Sequence, residues 1–153
     1  MRQRSSHLNS AVLIGLGCML FATNSLAAPI ISGVFDGPLT GGLPKAIEIH
    51  FPDAQADISN CSVGSANNGD GSDGEEFKFP ADSVSAGQFV YVASETDGFT
   101  AYFGFAPDYT DSAALINGDD AVELFCNAAV VDVFGDINTD GTGQPWEHLD
   151  GWA

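Results

Sequence analysis

Between Ile116 and Gly135 the chain carries two short runs rich in Val, Leu and Phe. These are Ala121-Val-Glu-Leu-Phe-Cys126 and Ala129-Val-Val-Asp-Val-Phe134, separated by Asn127–Ala128 and preceded by Asn117–Gly118. Two β-rich runs joined by a two-residue turn are the pattern of an antiparallel hairpin. Successive side chains of a strand point to opposite faces. Val122, Leu124 and Cys126 therefore share one face and leave Glu123 on the other, while Val131 and Val133 oppose Asp132. The alternation predicts a half-buried sheet with one face in a core and the other wet. The hairpin carries no reactive group, so it constrains the fold class far more tightly than the chemistry.

The rest of the chain repeats the β pattern. Ile30, Ile31 and Val34 begin a strand that is expected to end at the Asp36-Gly37-Pro38 turn. Thr40 to Pro44 reads as a loop because of its glycine pair and proline. Ala46 to Phe51 alternates, with Ile47, Ile49 and Phe51 opposing Glu48 and His50. Ile58 to Val63, Phe77 to Phe79 and Gln88 to Ser94 are further strands, the last apolar enough for the middle of a sheet. Ser65 to Glu76 is polar, and its Asn68–Gly74 portion reads as a flexible loop. Thr96 to Phe105 breaks the β pattern. Phe99, Tyr102 and Phe103 have i, i+3, i+4 spacing, which predicts one or two helical turns. This aromatic cluster reads either as a plug at one end of a sandwich or as a surface for a sugar or peptide.

Arg2 and Arg4, an apolar run from Ala11 to Ala22, and small residues at Ser25 and Ala27 stand in the order of an export signal cleaved after Ala27. The run falls short of the ~20 residues a membrane span needs. Cys18 could suggest lipoprotein processing, but it sits too deep in the run for that chemistry. Residues 1–27 thus read as a signal peptide and 28–153 as one domain, expected to be secreted or periplasmic with no membrane insertion after cleavage. Cleavage removes two arginines and no acid. Lys45 and Lys78 then face 21 carboxylates, a formal charge of −19. Nucleic-acid affinity rests on Lys and Arg neutralising phosphates, so no direct nucleic-acid binding is expected. The acid excess reads either as solubility in salty surroundings or as carboxylates holding divalent cations.

Cys61 and Cys126 are the cysteines that remain. On inward strand faces in an oxidising compartment they read as a structural disulfide, the alternative being two buried thiols. No Cys-x-x-Cys supports a redox role.

Asn117-Gly-Asp-Asp-Ala-Val-Glu-Leu124 followed by Val130-Val-Asp-Val-Phe-Gly135, with Lys45-Ala-Ile-Glu-Ile49 upstream, resembles the lamin tail domain in its bacterial secreted form. The resemblance runs from about Ile30 to Trp152. It implies an all-β, immunoglobulin-like β-sandwich, found alone or attached to secreted nucleases, phosphatases and surface proteins. It also makes Asp119 and Asp120 a structural turn feature. The family pattern continues with a further strand where this chain stops at Ala153, so the sandwich of short antiparallel strands and one short helix is expected to lack its last strand.

The best candidate for chemistry is Asp136-Ile-Asn138-Thr-Asp140-Gly141, with Glu147 further on. Positions 1, 3, 5 and 12 of a calcium loop supply oxygens, position 7 a carbonyl, and glycine at 6 the sharp turn. Asp136, Asn138, Asp140, Thr142 and Glu147 are accordingly the candidate metal ligands, and calcium the one expected cofactor. The alternative is an acidic, glycine-rich turn satisfied by backbone N–H groups. Catalysis finds little support: there is no Gly-x-Ser-x-Gly, and His50 and His148 read as structural. His and Cys are too few for zinc.

These readings converge on a secreted, non-catalytic binding or accessory module for an unidentified protein or surface ligand. One alternative is a fragment of a secreted nuclease or phosphatase carrying a lamin tail domain. Another is a calcium-stabilised surface or matrix protein.

Overall fold

The computed structural model describes residues 26–153, so the export-signal features at Arg2, Arg4, Cys18 and Ser25 lie outside the described residues. Eight strands follow one another: β1 (Ile30–Leu39), β2 (Leu43–Phe51), β3 (Cys61–Ala66), β4 (Phe77–Lys78), β5 (Gln88–Ala93), β6 (Tyr109–Thr110), β7 (Ala121–Cys126) and β8 (Ala129–Phe134). One helix, α1 (Asp97–Phe103), lies between β5 and β6. The strands form two four-stranded sheets, ordered β1-β2-β5-β6 and β4-β3-β7-β8. Neighbours are antiparallel except β5 and β6, which run parallel. The architecture is the all-β sandwich that the alternating runs predict.

The alternation of β2 decides where the core lies. Ile47 and Ile49 stand opposite Val92 and Val90 of β5, and these side chains meet Val63, Val122 and Leu124 of the second sheet. All are essentially inaccessible to water. Each large aliphatic or aromatic side chain buried this way contributes about 1.5–3 kcal/mol. Cys61 and Cys126 are direct partners on β3 and β7, with sulfurs 2.03 Å apart, so the bridge lies within one sheet. Cys61 turns its N–H to Ile58 and its carbonyl to Phe79, away from β7. The pair is therefore the closely spaced, non-hydrogen-bonded kind.

The hairpin turn forms at Asn127–Ala128, both with positive φ (54° and 59°), as a tight two-residue connection requires. Two details of its faces differ from the simple alternation. A bulge leaves Val131 without a partner, so Leu124 stands opposite Asp132 rather than a valine. An extra residue reverses every side chain beyond it. Asp132 consequently turns inward, its carboxylate accepting the Ile31 N–H at 2.7 Å, while Val133 is left 41% exposed. Nor does β7 have a wet face, since all six of its residues are buried, Glu123 included. The polar segment after β3 folds over that outer side and brings the Gly74 carbonyl against Gly64, the partner of Glu123. The segment read as flexible is tied down: Ser65 donates from both N–H and Oγ to Glu76, and the Gly71 N–H donates to the Ile137 carbonyl at 2.8 Å.

The first sheet shows two further differences. Strand β1 runs through Asp36-Gly37-Pro38 to Leu39, absorbing the turn as a register shift instead of ending there. Helix α1 does not plug an end of the sandwich. It lies on the outer face of the sheet, where Ala46 and Ala93 are small enough to admit Phe99, and Phe35 completes a second, smaller core. Gly104, in the left-handed region, ends the helix.

The outer edge of β1 is paired by the end of the chain. Val34 and Ala153 exchange N–H···O bonds of 2.9 and 3.1 Å, and the Asp36 N–H donates to the Gly151 carbonyl. Gly33 makes this closure available, because a Cβ there would lie 2.1 Å from the Trp152 indole. Residues 151–153 thus cover part of the outer edge of β1.

Candidate functional site

Polar chemistry concentrates where Asn117-Gly118-Asp119-Asp120 leads into β7. The Asp120 N–H donates to the Asn117 carbonyl at 3.0 Å, closing a tight turn. The Asp120 side chain folds back and accepts the Asn117 N–H at 2.7 Å, and its other oxygen accepts the Asn68 N–H at 2.9 Å. The carboxylate is buried and satisfied entirely by backbone donors. Asp119 holds the other side: its carbonyl accepts from the Gly141 N–H and its carboxylate from the Thr142 hydroxyl. Gly118 donates to Asp36 and accepts the His148 N–H at 2.8 Å. The approach is so close that a Cβ at Gly118 would lie 2.3 Å from the Leu149 nitrogen. The motif is a structural turn that ties together three loops and β1.

Against it lies a buried ion pair that the sequence reading missed. Lys45 and Asp36 are direct cross-strand partners on β2 and β1. The Lys45 ammonium donates to Asp36 at 2.5 Å, to the Ile116 carbonyl at 2.6 Å and to the Asn117 side chain at 3.2 Å. All three of its donors are engaged. A depression of about 360 Å³ opens over the pair, lined in part by Gly42, Asn117, Asp119 and Asp150. The Lys45 ammonium on its floor has no donor left for an anionic ligand. One signal pointed here: a domain with only two lysines cannot leave both to chance, and one of them opens the Lys-Ala-Ile-Glu strand.

The five candidate calcium ligands occupy one exposed loop but close separate turns. Asp136 accepts the Asn138 N–H and the Thr139 hydroxyl, both at 3.0 Å. Asp140 accepts the Thr142 N–H at 2.9 Å, and Glu147 accepts the Gly143 N–H at 3.0 Å. These backbone donors hold the Asp136 and Asp140 carboxyls below the usual carboxylate range. Among the described residues, no three His, Cys, Asp or Glu side chains converge as a metal-holding group.

The histidines stand apart. His50 lies on the outer face of β2, its ring 4.8 Å from that of Phe89. His148 is buried against Phe134, with Nδ1 3.4 Å from the Trp146 carbonyl. Burial pushes its imidazole below the ordinary value, offset in part by the Trp146 carbonyl and the charges of Asp36 and Asp120. No helix among the described residues is long and apolar enough to cross a membrane. Compared with protein-family models, curated proteins and solved structures, the chain matches none of them.

Proposed function

We propose that this chain, once exported, is a non-catalytic binding or accessory module of the lamin tail kind. The observation that carries the reading is the direction of its polar chemistry. Lys45, Asp36, Asp120 and Asn117, the groups best placed to act on a substrate, are turned inward and engaged by one another and by backbone. Groups held this way position loops, and what they leave at the surface is shape, apolar area and negative charge. The two-sheet sandwich and the Cys61–Cys126 bridge support export into an oxidising compartment.

The test uses the mature protein, residues 28–153, as bait in culture medium, alongside assays of the same preparation on DNA and on a phosphate monoester. Saturable retention of one partner with no turnover is the expected result. Turnover that survives repurification and is lost in a Lys45→Met variant would overturn the reading.

A further inference from the structure

Seven aromatic rings form a continuous array on the outer face of the first sheet. Phe35 lies at its centre, with ring centroids 5.1 Å from Tyr102, 5.1 Å from Phe103 and 5.7 Å from Trp152. Phe103 and Phe99 continue it to Phe105 and Tyr91. The inner rings form the small second core described above. The outer three are not covered: Tyr102 is 49% exposed, Trp152 44% and Phe105 43%. Large rings left half in water by an otherwise well-buried cluster mark an interaction site more often than single exposed residues do.

The charge around the rings selects the occupant. The described residues carry 21 carboxylates against Lys45 and Lys78. Lys45 is buried with Asp36, and Lys78 is paired with Glu75 at 3.1 Å. Carboxylates also stand at the array itself. Asp97 opens α1, the helix that carries Tyr102, and Asp108 accepts the Tyr91 N–H. Burial together with Glu48 and Asp108 pushes the Tyr91 hydroxyl up to about 12. A polyanion is repelled by such a surface. A second copy of this chain would bring the same acids face to face. A neutral sugar could stack on the rings and hydrogen-bond neighbouring carboxylates, but it would leave their negative charge uncompensated. A guanidinium or ammonium satisfies both features, since cations are attracted to ring faces and pair with carboxylates.

We propose that Tyr102, Phe105 and Trp152 form the docking surface for a basic polypeptide segment, whose Arg or Lys side chains lie across the rings and pair with the carboxylates beside them. The proposal rests on the reading of this chain as a binding module and gives that module its partner class.

The test titrates mature protein with three probes: a synthetic Arg-Gly-Arg-Leu repeat peptide, the same peptide with citrulline for arginine, and cellohexaose. Tyr102→Lys and Val133→Lys change the net charge equally. Only the first alters the array, Val133 being an exposed residue of β8 on the other sheet. The arginine peptide is expected to bind, about tenfold or more tightly than its citrulline counterpart, and to weaken between about 0.05 and about 0.5 M NaCl. Tyr102→Lys should cost about tenfold and Val133→Lys less than about twofold. Trp152→Ala, checked for cooperative melting, should repeat the Tyr102 effect. Equal losses in the two lysine variants would reduce the interaction to net charge and overturn the proposal. So would citrulline peptide or cellohexaose binding as tightly, or no binding at all. A partner from the medium held equally by wild type and Tyr102→Lys would retire this surface while leaving the binding-module reading intact. Substrate turnover would remove both.

Discussion

Replacing Lys45 with Met keeps the length of the side chain and removes its charge, which isolates what the buried ammonium does. Three acceptors lose their donor at once: the Asp36 carboxylate, the Ile116 carbonyl and the Asn117 side chain. Asp36 keeps one donor, the Gly118 N–H at 3.2 Å, which is too little for a carboxylate only 3% exposed. Breaking a buried pair from one side costs about 3–5 kcal/mol, because the remaining charge is stranded. Native domains hold only about 5–15 kcal/mol in total. For a domain of this size the loss corresponds to a fall in melting temperature of about 10–20 °C. Lys78→Met is the internal control. That side chain is 64% exposed and its ion pair with Glu75 is a surface contact, worth about 0–1 kcal/mol. Urea unfolding of oxidised protein, followed by near-UV circular dichroism, measures both. A third variant, Lys45→Met with Asp36→Leu, removes the stranded charge and should recover at least about 1 kcal/mol relative to the single change. If Lys45→Met costs no more than Lys78→Met, or the double variant recovers nothing, the pair does not hold β1 and the turn together as argued.

Gly118→Ala should destabilise by about 1–3 kcal/mol in the same assay, because the added methyl meets the Leu149 backbone and not a yielding side chain. Exported protein labelled with a thiol reagent under denaturing, non-reducing conditions should show no free cysteine. Reducing the bridge, which spans 65 residues, should cost about 4 kcal/mol on the chain-entropy model. His148 has a folded-state pKa below its ordinary 6.5, so the unfolded chain binds the proton more readily. Its contribution is therefore complete above pH 6.5 and lost as pH falls through the lowered value, and a His148→Phe variant should lack that part of the wild-type decline in urea midpoint. Calcium added at matched ionic strength should raise the melting temperature of wild type and Asp140→Ala equally, since each loop carboxylate already closes its own turn. A gain confined to wild type would establish a cation site there.

The sandwich was legible because its evidence is local. Ile47, Ile49 and Phe51 announce a core face by alternation alone, and Asn127–Ala128 announces a turn by standing between two such runs. Alternation misled where a feature depended on another part of the chain. Glu123 sits at a position that should be wet, and only the return of the 67–76 segment over Gly64 buries it. Asp132 and Val133 violate their expected faces because of one bulge, which leaves no mark in a run of β-formers. Helix α1 was found by its spacing, but the face it covers was set by Ala46 and Ala93, two residues too ordinary to draw notice.

The site was harder to read for a related reason. Acidic residues at regular intervals between 136 and 147 fit two descriptions, because a cation loop and a series of side-chain-capped turns both need oxygens on alternate residues near glycine. Spacing cannot separate them; in this structure the Asp136, Asp140 and Glu147 carboxylates each accept a backbone N–H, and the calcium titration of wild type against Asp140→Ala decides between the two. The Lys45–Asp36 pair is the opposite case, where a strong physical constraint left a weak trace in the sequence. With 21 carboxylates available, nothing in the order of residues nominates Asp36 as the partner of Lys45. The register of β1 on β2 does, by placing the two directly opposite, and the Asn117–Asp120 turn then has a charged anchor to close over. The same scarcity of cations that conceals the pair gives the surface its character. Once both lysines are taken, the half-exposed rings of Tyr102, Phe105 and Trp152 lie on a surface whose excess of carboxylates no other part of the described chain neutralises, and a basic partner supplies what is lacking.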